Sequence, residues 1–351
     1  MSAIQMNHPA DNQDVNVKAR PYRSLFWPIV LIGVGLMWLL NNVGLISAAN
    51  ISVVFRLWPL VLIVMGFDLL FGRKSPAVGA MIGIITVFVF IGLMLVGPAL
   101  GLAANLDVQS ASYSEPLGDA SSAQIELDGA MGALTVSASE DSSNLFDASL
   151  NYVGEVEYET SGQSERVISL RQTDDNSGIS FFTFNWLADE EPLSWDVSLS
   201  PDVPMDLDIN GGVGSSRLDL SDIQLQSLNV NSGVGQMTVN LPAMADSYNA
   251  TINSGTGQID ISIADNAALD LDVNGGVGQV SIDVPETNGS VGIRLEAQSG
   301  IGNVSVPGDF RRLSGDDGMG ENGVWETENF DSAERQITID YSGGIGGLNI
   351  R

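Results

Sequence analysis

The chain of 351 residues contains no cysteine and a single histidine, His8. Without cysteine there are no disulfides, thiolate nucleophiles, zinc–thiolate sites or iron–sulfur clusters. One histidine in a polar segment removes the commonest general base and any Ser–His–Asp triad. The sequence therefore predicts a protein that is not an enzyme and that holds no cofactor and no metal. An enzyme would have to work with carboxylates, tyrosine or arginine alone.

Positive charge is scarce as well, because 14 Lys and Arg stand against 43 Asp and Glu, for a formal net charge of -29. The charges are also unevenly divided. Residues 1–104 hold six Lys or Arg and three acids, whereas residues 105–351 hold eight Arg, no Lys and forty acids, a net charge of -32. A surface this negative repels a phosphate backbone, so the sequence predicts no nucleic-acid partner.

Three apolar runs precede residue 105, and the third, at 77–104, exceeds the ~20 apolar residues that span a bilayer as a helix. The first two, 25–40 and 57–71, reach that length only with their flanks. A polar tail at 1–22 comes before them and is predicted to be cytoplasmic. Within 23–104 the predicted transmembrane helices lie at 24–46, 51–71 and 77–104. A shallow re-entrant hairpin is the alternative for the first two.

Positive residues flank these runs asymmetrically. They are Lys18, Arg20 and Arg23 before the first run, Arg56 after it, and Arg73 and Lys74 between the second and the third. Because cytoplasmic flanks carry the excess of Lys and Arg, the tail and the second loop are predicted to be cytoplasmic. Three crossings then place residues 105–351 outside the cytoplasm. The expected location is a cell membrane, crossed several times, with the lipid bilayer as a partner.

The first two runs repeat a motif, in which Trp27 and Pro28 begin one and Trp58 and Pro59 begin the other. Proline suits the first turn of a helix, and tryptophan suits the headgroup region. Each pair therefore predicts a helix start at the membrane interface rather than a ligand site. Asp68 lies near the end of the second run, and an ionisable group in a membrane helix is a candidate for function. The alternative is that Asp68 reaches the interface beside the positive loop.

After residue 105 a short glycine motif recurs about every 21 residues. The predicted turn residues are Asn210, Gly212, Gly214, Asn231, Gly233, Gly235, Asn253, Gly255, Gly257, Asn274, Gly276 and Gly278. Looser copies contain Asp128, Gln298 and Ser342. A fixed period of this length indicates a repeat architecture.

Residues alternate around each turn, so that Leu228 and Val230 share one face before it, and Val239 and Leu241 share one face after it. One unit cannot bury that face alone, whereas stacked units can, each adding ~4.8 Å. The predicted fold is a membrane-anchored all-β protein, with an N-terminal α-helical transmembrane region of three helices and a C-terminal β-solenoid-like repeat domain at 121–351. A β-sandwich of hairpins joined by glycine turns is the rival fold.

The four asparagines would then stack at one corner as a ladder of side-chain amides. An equal alternative is that asparagine is chosen only for the backbone conformation of the turn. We predict a linker at 105–120 and insertions into the repeat near 140–205 and 308–332. The aromatic segment 181–186 is predicted to cap the end of the stack, with an exposed partner site as the alternative.

The glycine motif does not predict a nucleotide or calcium site. A dinucleotide fingerprint needs a helix after the glycines, and strands follow here. Calcium-binding nonapeptide repeats need an Asp after the glycines and a nine-residue period, whereas Gln236, Gln258 and Gln279 stand there. The segment Asp316–Gly318 is too short for an EF-hand loop.

The Trp-Pro helix pair, with residues 39–46 after the first helix, resembles the N-terminal transmembrane region of the bacterial LiaF-like family. The Gly-x-Gly strand repeats and the ending at 343–350 resemble its outer domain, called a toast-rack or adhesin-like domain. The resemblance covers most of residues 22–351. Members of this kind are similar to accessory regulators of envelope-stress two-component systems, which act by contact with a membrane histidine kinase and without catalysis.

The resemblance implies a non-enzymatic bacterial membrane protein whose acidic β-repeat domain faces outward and which senses or regulates a cell-envelope stress response. Its expected partners are a membrane histidine kinase or another envelope protein, and a second copy of the chain. The alternatives are a structural adhesin-like surface protein and, less favoured, a carbohydrate-active β-solenoid enzyme. Such an enzyme needs clustered carboxylates with arginine on one face, whereas the eight arginines are scattered along the sequence.

Overall fold

The computed structural model describes residues 25–42, 53, 57–72, 76–100, 108–140, 143–173, 193–286, 290–317 and 320–351. These residues fall into two compact units, a helical unit before residue 105 and a β unit after it. Several predictions lie outside the described residues: the tail at 1–22, the charged loop residues Arg56, Arg73 and Lys74, and the aromatic segment 181–186.

The helical unit contains α1 (Phe26–Asn42), α2 (Trp58–Phe67) and α3 (Pro76–Val96). A π-helical turn at Asp68–Gly72 continues α2, and a 3-10 turn at Pro98–Leu100 follows α3. Proline stands in the first turn of α2, where its missing N–H has no helical partner to lose.

The described part of the chain does not contain the three full-length transmembrane helices that the sequence predicts. Among the described residues, one helix is long and apolar enough to cross a bilayer by itself, over Ala77–Val96. The apolar stretches of the other two are shorter, Phe26–Leu40 and Pro59–Phe71. The helix predicted at 77–104 ends at Val96 because Gly97 and then Pro98 follow, and proline cannot donate the next helical hydrogen bond.

Small residues bring α1 and α3 close together. A Cβ added to Gly33 would lie 2.6 Å from Val87 Cγ2, and one added to Gly83 would lie 3.2 Å from Ile29 Cβ. Large apolar side chains cover the outside of this unit, which holds 23 of the 29 exposed large apolar residues in the described chain. Such a surface suits contact with lipid better than contact with water.

The β unit forms one sheet of fifteen strands. They are β1 (Gln109–Pro116), β2 (Ser122–Ala138), β3 (Asn144–Tyr152), β4 (Glu155–Ser161), β5 (Glu165–Thr173), β6 (Ser194–Leu199), β7 (Met205–Asp219), β8 (Leu225–Leu241), β9 (Tyr248–Ile263), β10 (Leu269–Asp283), β11 (Val291–Ile301), β12 (Val304–Ser305), β13 (Phe310–Asp317), β14 (Glu321–Thr327) and β15 (Arg335–Ile350).

Seven of these strands form a parallel stack in the order β2, β7, β8, β9, β10, β15, β11, with corner residues aligned between neighbours. Each strand of the stack is here called a rung, and its two arms meet at the glycine corner. In the last rung β11 is the first arm, and β12 forms the second and pairs with β15. Leu228 and Val230 on the first arm of β8, and Val239 and Leu241 on the second, are all at most 2% exposed. The alternation therefore places the core between the arms, as a solenoid requires, and the β-sandwich of hairpins is wrong.

The last strand departs from the order of the sequence. β15 lies between β10 and β11 and pairs in parallel with both. The other side of β11 is occupied by β14, which pairs with it antiparallel and with β13 in turn. Because β14 occupies the outer side of β11, the last strand of the chain lies inside the sheet and not at its edge. Its corner at Ser342 therefore lies between the corners at Asn274 and Gln298.

The predicted linker and insertions contain strands of the same sheet. The segment 105–120 contains β1, which pairs antiparallel with β3, so it is not a free linker. The region 140–205 contributes β3 to β6, of which β5 and β6 pair with the two arms of β2. The region 308–332 contributes β13 and β14. Open edges of a parallel stack expose unpaired N–H and C=O groups, and these strands cover them.

Candidate interaction surface

From β8 to β11 in the stacking order, each rung turns at a corner that has no room for side chains at two glycine positions. Gly235 has a φ of +154°, and a Cβ built on it would overlap the carbonyl oxygen of Gly214 on the adjacent rung. A Cβ on Gly233 would lie 2.5 Å from the carbonyl oxygen of Gly212, which is on the same adjacent rung. The position before them is roomier, since a Cβ on Gly211 meets nothing within 3.8 Å. Serine stands at that position in β8 and β9, at Ser232 and Ser254.

The four predicted corner asparagines form a ladder of amides. Asn231 Nδ2 donates to Asn210 Oδ1 at 2.9 Å, Asn253 Nδ2 to Asn231 Oδ1 at 2.8 Å, and Asn274 Nδ2 to Asn253 Oδ1 at 2.9 Å. Among the described residues only Asn266 is a non-glycine with positive φ, so backbone conformation does not explain these asparagines. Their side chains instead tie four adjacent rungs together.

A line of apolar side chains runs beside the ladder, at the tip of the corner. This corner ridge comprises, in stacking order, Val213, Val234, Thr256, Val277, Ile345 and Ile301, which are aligned from rung to rung. Val277 is 48% exposed, and both isoleucines are 53% exposed. The β unit has six exposed large apolar residues in its described part, and four of them belong to the corner ridge.

The corner ridge was not among the predicted site residues. Its signal in the sequence is the position between the last two glycines of the motif, which holds Val, Thr or Ile in these six rungs. Turn residues are ordinarily polar, so an apolar residue at the same place in successive turns indicates a continuous exposed strip once the turns are known to stack.

An open groove of about 600 Å³ runs alongside the corner ridge. It is lined by the four asparagines of the ladder, by the two residues that follow Asn231, Asn253 and Asn274, by Gly211 after Asn210, and by Ser342–Gly344. We call it the corner groove, and the ridge and groove together the corner surface. In the six rungs β7, β8, β9, β10, β15 and β11, the corner segments, such as Asn231–Gln236 and Asn274–Gln279, contain no charged residue.

Acidic side chains stand outside the corner surface, on the outward positions of the first arm. Asp272, Asp340 and Glu296 are aligned on the adjacent rungs β10, β15 and β11. Burial raises the pKa of Asp340, and the charges of Asp272, Glu296 and Asp270 raise it further. Among the described residues no group of His, Asp or Glu could hold a metal ion. Because Asp272, Asp340 and Glu296 are aligned on adjacent rungs, their carboxylates repel one another and make this side of the stack strongly negative.

Arginines pair with acids at the edges of the stack. Glu326 on β14 is 6% exposed and accepts hydrogen bonds at 2.9 Å from Arg294 on β11 and Arg311 on β13. These hydrogen bonds hold the pKa of Glu326 below its ordinary value, against the effect of burial. At the other end Arg171 on β5 bonds Glu126 on β2 at 3.0 Å. These pairs join edge strands, which is a structural use of the scarce positive charge.

The helical unit holds the remaining predicted residues. Trp27 and Pro28 lie in the first turn of α1 and are exposed, and Trp58 and Pro59 begin α2. Asp68 opens the π-helical turn and is 2% exposed. It is the only ionisable residue among the described residues of this unit. π-Helical turns often occur at functional sites, so this placement keeps Asp68 a candidate.

Together these features define a protein with an apolar helical region followed by a glycine-cornered parallel β stack. Residues 25–70 match the LiaI-LiaF-like transmembrane region, and residues 104–262 match the N-terminal domain of toast_rack, DUF2154. The chain thus has the layout of the LiaF-like family, and its first match marks it as a membrane protein. A comparison with curated protein sequences gives no match.

Two solved structures match 70% of this chain. A proposed cell adhesion protein from Clostridium sporogenes is 22% identical, with a TM-score of 0.48, over 70% of this chain and 99% of that one. A proposed adhesin from Bacteroides fragilis is 10% identical, with a TM-score of 0.27, over 70% of this chain and 98% of that one. Both TM-scores are below 0.5, so neither match says anything of what this chain does.

Proposed function

We propose that this chain is a non-enzymatic accessory regulator of a bacterial cell-envelope stress response. In this proposal the helical unit contacts a membrane histidine kinase, and the β unit senses the state of the envelope outside the cytoplasm. The observation that carries the proposal is the union of a LiaI-LiaF-like membrane region with a toast-rack domain in one chain. Among the described carboxylates of the β unit, Glu326 is used in edge pairs and Asp272, Asp340 and Glu296 stand on the outward face, which fits a role without catalysis.

The orientation is part of the proposal. We propose that α1, α2 and their flanks cross the membrane as a tight pair and that α3 crosses alone, which gives three crossings. Five positive residues at 18–23 and 73–74, against one at Arg56, favour a cytoplasmic tail and second loop. The β unit is then extracytoplasmic, where its net charge of -32 keeps it soluble and away from anionic lipid.

A reporter for envelope stress tests the regulatory role. Deleting the gene is expected to change the reporter's response to a cell-wall antibiotic, and the full chain supplied in trans is expected to restore it. An unchanged response would contradict regulation and would favour the alternative of a structural adhesin-like spacer.

Cross-linking tests the contact with a kinase. The chain has no cysteine, so a single one can be placed at will. Ile32 on α1 is 71% exposed and Phe26 is 3% exposed. Cross-linking in membranes is expected to join Ile32→Cys to a histidine kinase, and the buried control Phe26→Cys to yield none. Equal yields, or an Ile32→Cys product that contains no kinase, would count against the contact.

Asp68 offers a point substitution in the same unit. A buried ionisable group in an otherwise apolar unit is costly, and such groups are retained for function by default. We propose that Asp68 takes part in signalling, and Asp68→Asn is expected to change reporter output at an unchanged protein level. Leu70→Asn, at a side chain that is 67% exposed, is the control for a polar group nearby. The same output from wild type and Asp68→Asn would exclude that role.

A further inference from the structure

The corner surface combines the two properties that an interface between copies of this chain needs. The first is exposed apolar area in one place. Val234, Val277, Ile301 and Ile345 are 42–53% exposed and lie in one line, whereas Val167 and Leu313 are the two other exposed large apolar residues in the described β unit. Contiguous apolar surface on a soluble domain marks an interaction site more often than scattered residues do.

The second property is the absence of charge. Residues 105–351 carry a net charge of -32, so two copies repel each other over most of their surface. The corner segments from β7 to β11 hold only Asn, Gln, Ser, Thr, Gly, Val and Ile. Before the corner the nearest outward residue is acidic in four of these six rungs, at Asp208, Asp272, Asp340 and Glu296. After the corner it is charged in two rungs, at Arg217 and Asp260. The electrostatic repulsion between two copies is therefore smallest where they approach each other along the corner surface.

The geometry of the corner surface also favours a second copy of this chain over other occupants. The corner ridge and corner groove run side by side, and both repeat once per rung, about every 4.8 Å. A two-fold axis parallel to the stacking direction turns the ridge of one copy into the groove of the other, and the reverse. Each contact then occurs twice, as in isologous dimers. Matching periods let every rung meet the same rung of its partner.

We propose that the corner surface is the site at which a second copy of this chain docks. The strip is narrow, and six rungs extend over only about 25 Å, so it buries less than the ~800 Å² per partner of a stable soluble dimer. Two copies held in the same membrane have a much higher effective concentration than free molecules, which compensates for a weak contact. This inference does not depend on the proposed regulatory role.

Single cysteines on the full chain in native membranes test the proposal. Thr256 lies in the middle of the corner ridge, and Asp222 is exposed in the return loop between β7 and β8. A short bis-maleimide is expected to join Thr256→Cys into a product of twice the mass, with at least tenfold less product from Asp222→Cys. Equal yields from the two variants would show random collision and overturn the proposal. A Thr256→Cys product with a different protein would also overturn it.

A second change separates docking from misfolding. Adding Val234→Glu and Val277→Glu to Thr256→Cys places charge on the exposed ridge without touching the core. This variant is expected to lose the dimeric product while the β unit keeps the protease resistance of the wild type. If the product persists at the same yield with the glutamates present, the corner ridge is not the interface.

Discussion

The helical unit and the β unit of this protein place their apolar residues in opposite ways. The helical unit exposes large side chains such as Ile32, Trp38 and Phe88, each about 70% exposed, and packs its helices through glycines. The β unit buries its large aliphatic residues between two arms and exposes carboxylates. This difference shows that one chain is built for two solvents, because each unit turns toward its surroundings the residues that those surroundings solvate best.

The corner surface is the exception on the β side. There the β unit exposes valine and isoleucine, as the helical unit does, and carries no charge. In a domain that is otherwise strongly acidic, this exception is where another protein surface can come close. The following predictions test how firmly each unit depends on its own way of packing.

Removing β15 should have the largest effect. Its side chains Ile337, Ile339, Tyr341, Leu348 and Ile350 are all at most 4% exposed. Burying each is worth about 1.5–3 kcal/mol, so their sum is as large as the whole stability of a typical domain, about 5–15 kcal/mol. Deleting residues 335–351 is expected to make the β unit protease-sensitive while the helical unit stays in the membrane.

The matched control for this deletion is Arg351→Ala. Arg351 pairs with Asp283 at the surface, and exposed pairs contribute less than about 1 kcal/mol. Protease resistance of the control should match the wild type. A deletion variant that resists protease as well as the control does would show that β10 and β11 do not need the strand between them.

A single methyl group at the corner should have the next largest effect. Gly235→Ala introduces a Cβ that overlaps Gly214, at a φ that alanine adopts poorly, and should destabilise the β unit by more than about 2 kcal/mol. Gly211→Ala has room and should cost less than about 1 kcal/mol. Thermal unfolding measures both, and equal midpoints for the two variants would refute the stacked corner.

The amide ladder should contribute less than the glycines. Asn231 makes two ladder bonds, one to Asn210 and one from Asn253, and each is worth about 1 kcal/mol. Asn231→Ala is expected to lower the free energy of unfolding by about 2 kcal/mol in a denaturant titration. The control Asn240→Ala removes one exposed bond to Asp219 and should cost less than half as much. Identical losses would mean that the ladder is incidental.

Neutralising one stacked acid should have the smallest effect, and with the opposite sign. The raised pKa of Asp340 means that the ionised form costs stability above the ordinary value of 3.8, and that this cost disappears as the pH falls below it. Asp340→Asn should therefore stabilise the β unit at pH 7, by less than about 0.5 kcal/mol because solvent screens these exposed charges, and leave it unchanged near pH 3. Asp222→Asn, in an exposed loop, should change neither value. A gain for Asp340→Asn that grows on acidification would contradict this explanation.

Local periodicity was enough to predict the rungs. The alternation around Leu228 and Val239, together with a period near 21, indicates two arms, a corner and a shared core, because a strand can bury one face only by stacking. Periodicity alone does not distinguish an amide ladder from asparagines chosen for their backbone conformation. The parallel register, which aligns the asparagines of neighbouring rungs, is the further fact that distinguishes them. Sequence patterns are informative here because the contacts concerned repeat at fixed spacing.

Non-local pairing was not predictable in this way. Nothing in residues 335–350 indicates that this strand lies between β10 and β11, since every rung presents the same alternation to its neighbours. The sequence of β1 is serine-rich and has little apolar alternation, so local periodicity predicts a linker there and not a strand. The corner ridge was missed because a valine between two glycines looks like a turn residue until successive turns are aligned.

The location of the β unit is the claim on which the proposed function depends most directly. Because the chain has no cysteine, Asp222→Cys and Asn12→Cys each carry one reactive thiol. A membrane-impermeant maleimide added to cells with an accessible outer face of the membrane is expected to label Asp222→Cys at once, and Asn12→Cys only after permeabilisation. Labelling of Asn12→Cys with protection of Asp222→Cys would place the β unit in the cytoplasm and contradict the account.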